Sequence, residues 1–139
     1  MGEIFLAGRI LVGGYYLFSA FHHFADTSSL ARYAAMAGVP MPQVAVIVSG
    51  LLLLIGGLSL LLGIYPDEGI AALVLFFVPV TVMMHAFWAD RDPVMRQMDI
   101  VNFGKNVGLL GSSLMLAAVP RPWEYSLERR AHLPVKAPV

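Results

Sequence analysis

The sequence predicts an all-α integral membrane protein, a bundle of four spanning helices with one short helix lying at the interface. Three observations carry that reading. Of 139 residues, 58% are hydrophobic and only 13% charged. The mean hydropathy is +0.75, and a water-soluble domain of this size could not bury so much apolar surface. The apolar residues also fall into four runs of about 20, the length that crosses a ~30 Å hydrocarbon core at ~1.5 Å rise per residue. Lipid offers no partner to backbone polar groups, so such runs must be helical. Strands of a membrane barrel would alternate polar and apolar residues, and these runs do not.

The first span covers about 4–21 and carries one charge, Arg9. It reads as a retained span rather than a cleaved leader, since no basic residue precedes it and three spans follow. Asp26, Thr27, Ser28 and Ser29 then offer helix caps for the interfacial helix, about 29–37. Gly38 ends that helix, and Pro40 and Pro42 prevent its continuation. Leu30, Tyr33, Ala34 and Ala37 share one of its faces. The second span, about 44–64, has no charge, and Tyr65-Pro66-Asp67-Glu68-Gly69 reads as a turn. The third, about 70–89, has His85 as its ionisable group, with Pro79 expected to kink the helix above it. The fourth, about 100–119, is the most polar, with Asn102, Lys105 and Asn106 in its first two turns. Residues 1–120 thus make one bundle domain. Residues 121–139 read as a polar C-terminal tail opened by an aromatic anchor at Trp123 and Tyr125.

Composition sets limits on function. Formal net charge is zero, so nothing points to nucleic acid. The absence of cysteine excludes disulfides, thiolate metal sites and a thiol relay within the chain. Orientation is nearly balanced. Arg121, Arg129, Arg130 and Lys136 lie on the side of the termini, against Arg32, Arg91, Arg96 and Lys105 opposite. The mixing of Asp90, Asp92 and Asp99 into the second group favours both termini on the cytoplasmic side. The location expected is the bacterial inner membrane.

The polar residues within the spans concentrate at one membrane face. Tyr15, Ser19 and His22 form a stripe on the first helix, Thr81, His85 and Trp88 on the third, and Asp99, Asn102, Asn106 and Ser113 on the fourth. Polar residues in a membrane helix face the bundle interior. The spans should therefore enclose a polar pocket open towards the 22–43 and 90–99 side. Each residue also has a structural reading. His85 and the two asparagines can bond neighbouring helices, Lys105 can snorkel to the headgroups, and His22 and His23 can be solvated at a helix end. Arg9 lies at the far face, where an ion pair with Glu3, Asp67 or Glu68 is expected. Gly13, Gly14, Gly50, Gly56, Gly57, Gly104, Gly108 and Gly111 read as close-packing positions.

The ordered set of motifs resembles the DoxX family of small four-helix bacterial membrane proteins. It runs from Gly8-Arg9-Ile10-Leu11 through Leu17-Phe18-Ser19-Ala20-Phe21-His22-His23-Phe24 to Gly38-Val39-Pro40. It continues through Gly50 and Gly57, His85-x-Phe87-Trp88, and Asn102-Phe103-x-Lys105-Asn106 with Gly111, covering about residues 4–120. The paired histidines 22 and 23 depart from the family's usual single Lys or His. The resemblance implies the fold and an association with membrane redox complexes, including similarity to the membrane subunit of thiosulfate:quinone oxidoreductases; it implies no defined reaction.

The leading expectation is a redox-associated membrane subunit that binds a quinone headgroup. His85, Lys105, Asn102 and Asn106 would donate hydrogen bonds, Trp88 and Phe103 would stack on the ring, and His22 or His85 would carry protons. No flavin, haem or iron–sulfur signature is present, so a protein partner would supply electrons. Whether the chain is itself an enzyme stays open. The main alternative is a non-catalytic scaffold or accessory subunit whose polar stripe serves only packing, alone or as a homo-oligomer. A transporter is a further alternative. A bis-histidine metal or haem site using His22 and His85 is the least favoured alternative, since nothing at ligand spacing within one helix supports it, and no metal site is expected.

Overall fold

The computed structural model describes residues 1–130. They form α1 (Gly2–Ala25), α2 (Thr27–Met36), α3 (Pro42–Leu62), α4 (Pro66–Met84), α5 (Pro93–Ala117) and a short α6 (Leu127–Arg130), with no strand among the described residues. α1, α3 and α4 are long and apolar enough to cross a membrane. α5 has 25 residues, ample length, but Arg96, Asp99, Asn102, Lys105 and Asn106 keep it too polar to qualify on composition. Three of the four expected spans are thus membrane-capable helices by this measure.

Helix ends follow capping chemistry more closely than hydropathy. α4 was expected over 70–89 but runs Pro66–Met84. Pro66 stands at its first position, where a missing N–H costs nothing, and Asp67 and Glu68 suit the positive end of the helix dipole. The expected turn at 65–69 is thus mostly the first helical turn. The helix stops at His85, whose backbone (φ −124°, ψ 47°) leaves helical geometry. α5 starts at Pro93 rather than Ile100, because the Asp92 carboxylate accepts from Val94 N and Met95 N, both at 2.9 Å. α2 begins at Thr27, slightly before its expected start, and Gly38 (φ 76°) follows its end.

α1 packs along α3, α3 along α4, and α4 along α5; α2 lies chiefly on α3. The α1–α3 approach depends on glycine. A Cβ at Gly13 would stand 3.0 Å from the Gly57 carbonyl oxygen, and one at Gly57 would stand 3.1 Å from that of Gly13. At Gly56 it would meet Leu73 at 2.5 Å. The expectation of close packing fails for Gly14, Gly104, Gly108 and Gly111, which have no neighbour within 4 Å of that position. Tyr16, Leu53, Leu60, Leu73 and Phe77 fill the centre. Tyr16 also spans from α1 to α5, its hydroxyl 3.0 Å from Ser113 Oγ.

α5 is inverted relative to a soluble helix. It buries Asp99, Asn106 and Ser113, seven residues apart and so on one face, while Val101, Val107, Leu114 and Met115 are exposed. That arrangement suits a solvent that is lipid.

At the far end, Arg9 is 1% exposed. Its hydrogen bonds run to carbonyls instead of the expected carboxylates: Nε to Leu60 O at 2.9 Å, one terminal nitrogen to Leu61 O at 3.1 Å, the other to Glu124 O at 2.9 Å. Leu60 and Leu61 lie in the last turn of α3, where carbonyls lack helical partners and the dipole favours a cation. The guanidinium also sits 5.2 Å from the Trp123 ring centroid. Asp67 is held by Arg121, and Asp67 holds the Arg121 pKa above its ordinary value. Within the expected tail, residues 121–130 fold back on the bundle with Trp123 buried; 131–139 lie outside the described residues.

Candidate functional site

The C-terminal ends of α1 and α4 and the N-terminal ends of α3 and α5 meet at one end of the molecule, because consecutive long helices alternate in direction. There α2 and the 37–41 connection roof a cavity of about 480 Å³, within the ~300–1,000 Å³ typical of small-molecule sites. Its polar lining comes from every long helix: Ser19 and His23 from α1, Ser49 from α3, His85 at the end of α4, Lys105 and Asn106 from α5, with Tyr33 from α2. The remaining wall is apolar, including Leu52, Phe76, Val80 and Met84. Three lining residues, Val48, Leu75 and Met83, are also exposed on the outer surface, by 47%, 63% and 39%. The cavity therefore joins a few hydrogen-bonding groups to the outer surface of the bundle.

His85 is fixed by an ionic contact. Its Nδ1 lies 3.1 Å from Asp99 Oδ1, with side chains only 13% and 11% exposed. A carboxylate there requires the hydrogen on Nδ1. Nε2 is then an acceptor in the neutral ring and a donor in the protonated one, so His85 can serve a hydroxyl or a carbonyl. Lys105 Nζ donates to Asn102 Oδ1 at 3.1 Å, and Asn106 is buried.

The histidine pair separates. His22 is half-exposed and stands 3.5 Å from Asp26. His23 turns inwards, donating from Nδ1 to the Ser19 carbonyl at 2.8 Å, with its ring edge-on to Phe76. Trp88 is 57% exposed and clusters with Phe87 and Phe103 outside the cavity. Of the six residues singled out from the sequence, the structure brings His85, Lys105 and Asn106 together in the cavity. Asn102 reaches it through Lys105, whereas His22 and Trp88 do not line it.

Four residues outside that set line the cavity or stand behind it: His23 and Tyr33 in its wall, Asp99 against His85, and Asp90 beside Asp99. Burial, with the negative charges of Asp99 and Asp90, raises the Tyr33 pKa. The carboxyl of Asp90 is likewise pushed up, by burial first and then by Asp99. Spacing already placed Asp99 on the interior stripe with Asn106 and Ser113, and it could have found His23, which follows Tyr15 and Ser19 at a four-residue step. Among the described residues, no group of three His, Asp or Glu side chains stands close enough to hold a metal ion.

Apolar helices of spanning length and, at one end, a largely apolar cavity with a few polar groups define a small helical membrane protein with an amphiphilic site. The DoxX family model matches residues 4–86, and the chain belongs to the DoxX family. It is 26% identical over 127 residues to the inner membrane protein YphA of Escherichia coli (strain K12), covering 91% of this chain and 89% of that protein. No solved structure matches the chain at a significant level. With its apolar helices, this relationship makes the protein an integral inner-membrane protein.

Proposed function

We propose that this chain is a redox-associated membrane subunit whose cavity holds a quinone headgroup, with α5 as the fourth span and both termini on the cytoplasmic side. The observation that carries the reading is a cavity that combines a few hydrogen-bonding groups, among them buried Asn106 and largely enclosed His85, with walls that reach the outer surface. A quinone is built the same way, with two carbonyl oxygens on a ring and an apolar tail. In this reading His85, Lys105 and Asn106 meet the carbonyls, Tyr33 and His23 flank the ring, and the tail leaves past Val48, Leu75 and Met83. Asn102 acts through Lys105. Electrons come from a partner protein, since the sequence carries no flavin, haem or iron–sulfur signature.

Lipid extraction and mass spectrometry of protein purified in mild detergent test this. The expected result is near-stoichiometric quinone that falls in both His85→Ala and Asn106→Ala while the helical circular dichroism is retained. Quinone no higher than in an unrelated membrane protein would remove the reading.

One observation favours the scaffold alternative. Gly104, Gly108 and Ser112 form a small-residue strip on exposed turns of α5, and at the two glycines nothing packs within 4 Å. Such strips let a second helix approach closely. Because the chain has no cysteine, Gly108→Cys gives a clean crosslinking site. A crosslinked species together with a quinone-free cavity would favour this alternative.

A further inference from the structure

Beside the cavity, three side chains make a continuous polar contact that quinone binding alone does not require. Asp99, 8% exposed, touches His85 on one side. Its carboxyl also stands beside that of Asp90 and, after burial, helps to raise the Asp90 pKa. Asp90 Oδ2 is shut off from solvent and meets no donor among the described residues. Two carboxylates cannot share such a contact, because both only accept and both are negative; one proton between them turns repulsion into a hydrogen bond.

Among the described residues, no donor meets Asp90 Oδ2. It faces Tyr33 from α2, Asp99 and Arg96 from α5, and Asp92 from its own connection. Asp92 caps α5 and is engaged by two backbone N–H groups. Arg96 is exposed and contributes charge at a distance, without a hydrogen bond to Asp90.

We infer that Asp90 and Asp99 share one proton, and that Asp99 is a positioning residue that holds His85, so the three side chains form a proton-holding end of the cavity. The charge left on the pair stands against the imidazole. When a hydroxyl in the cavity gives its proton to Nε2, its O–H bond breaks, an Nε2–H bond forms, and Asp99 stabilises the resulting imidazolium. The inference rests on the quinone reading only for what the proton serves.

Infrared spectroscopy of the purified chain in lipid at neutral pH tests it. The native protein should show the carbonyl stretch of a protonated carboxyl, shifting in D₂O. The band should be lost in Asp90→Asn and in Asp99→Asn, and kept in Asp26→Asn, which alters an exposed carboxyl. A native protein without the band overturns the inference, whatever the variants do. A band that survives Asp90→Asn, in protein that keeps its helical circular dichroism, overturns it as well. A band present in quinone-free protein leaves the shared proton standing and removes only the quinone reading.

Discussion

Replacing Arg9 by methionine keeps most of the side-chain volume and removes every donor. Three hydrogen bonds are lost at once: two to the last turn of α3 and one to the segment after α5. In water, bonds from a charged donor contribute ~1.5–3 kcal/mol each. Within membrane proteins, side-chain bonds between helices contribute less, ~0.6 on average and ~1.7 at most. Arg9 lies near the end of the bundle with its guanidinium enclosed by Phe5 and Trp123, so the membrane range applies to each of its three bonds. Arg9→Met should therefore destabilise the fold by about 2–5 kcal/mol. Arg9→Lys should fall between it and the native protein, because a point charge cannot serve three carbonyls in fixed directions. Reversible unfolding in mixed micelles, followed by circular dichroism, reads the difference. A loss below ~0.5 kcal/mol, the range of an ordinary surface change, would refute the view that Arg9 ties α1, α3 and the C-terminal segment together.

Three further outcomes follow from local geometry. Gly56→Val should destabilise by about 1–3 kcal/mol, because its Cβ would meet Leu73 at 2.5 Å, whereas Gly108→Ala, in open space, should not destabilise; thermal melting compares them. Asp92→Ala should cost about 1 kcal/mol and raise hydrogen exchange at the Val94 and Met95 amides, which the carboxylate now holds. The raised pKa of Asp90 means the folded state binds its proton more tightly than the unfolded chain does. That stabilisation is complete below the ordinary carboxylate value and is lost as pH rises through the raised one. Asp90→Asn should therefore flatten the decline of melting temperature over that window; an unchanged or steeper decline would contradict the assignment.

Hydropathy located the lipid-facing helices well, since α3, expected over 44–64, forms as Pro42–Leu62. It misjudged the ends of α4 and α5 because an apolar run reports what lipid solvates, while helices start where a proline or a carboxylate resolves the first N–H groups. His85 was legible as a polar interruption in an apolar run. His23 was not distinguished from His22, because one residue turns a helical position by ~100° and neighbouring packing decides which ring turns inwards. Asp90 was read as a loop charge; its role emerges only when the 85–92 connection folds it against Asp99. The glycines of α5 looked like those of α3 in sequence, and only the helix arrangement separates packed from open positions.

The most direct test of the cavity as a quinone site is photolabelling with a short-tailed azidoquinone, the modified residues being read by mass spectrometry of peptides. The account predicts labels at Tyr33, Met83, Met84 or His85, competed by unlabelled quinone and lost in His85→Ala. Labels confined to the outer face of α5 at Leu114 and Met115, or to the Trp123 end, would contradict it.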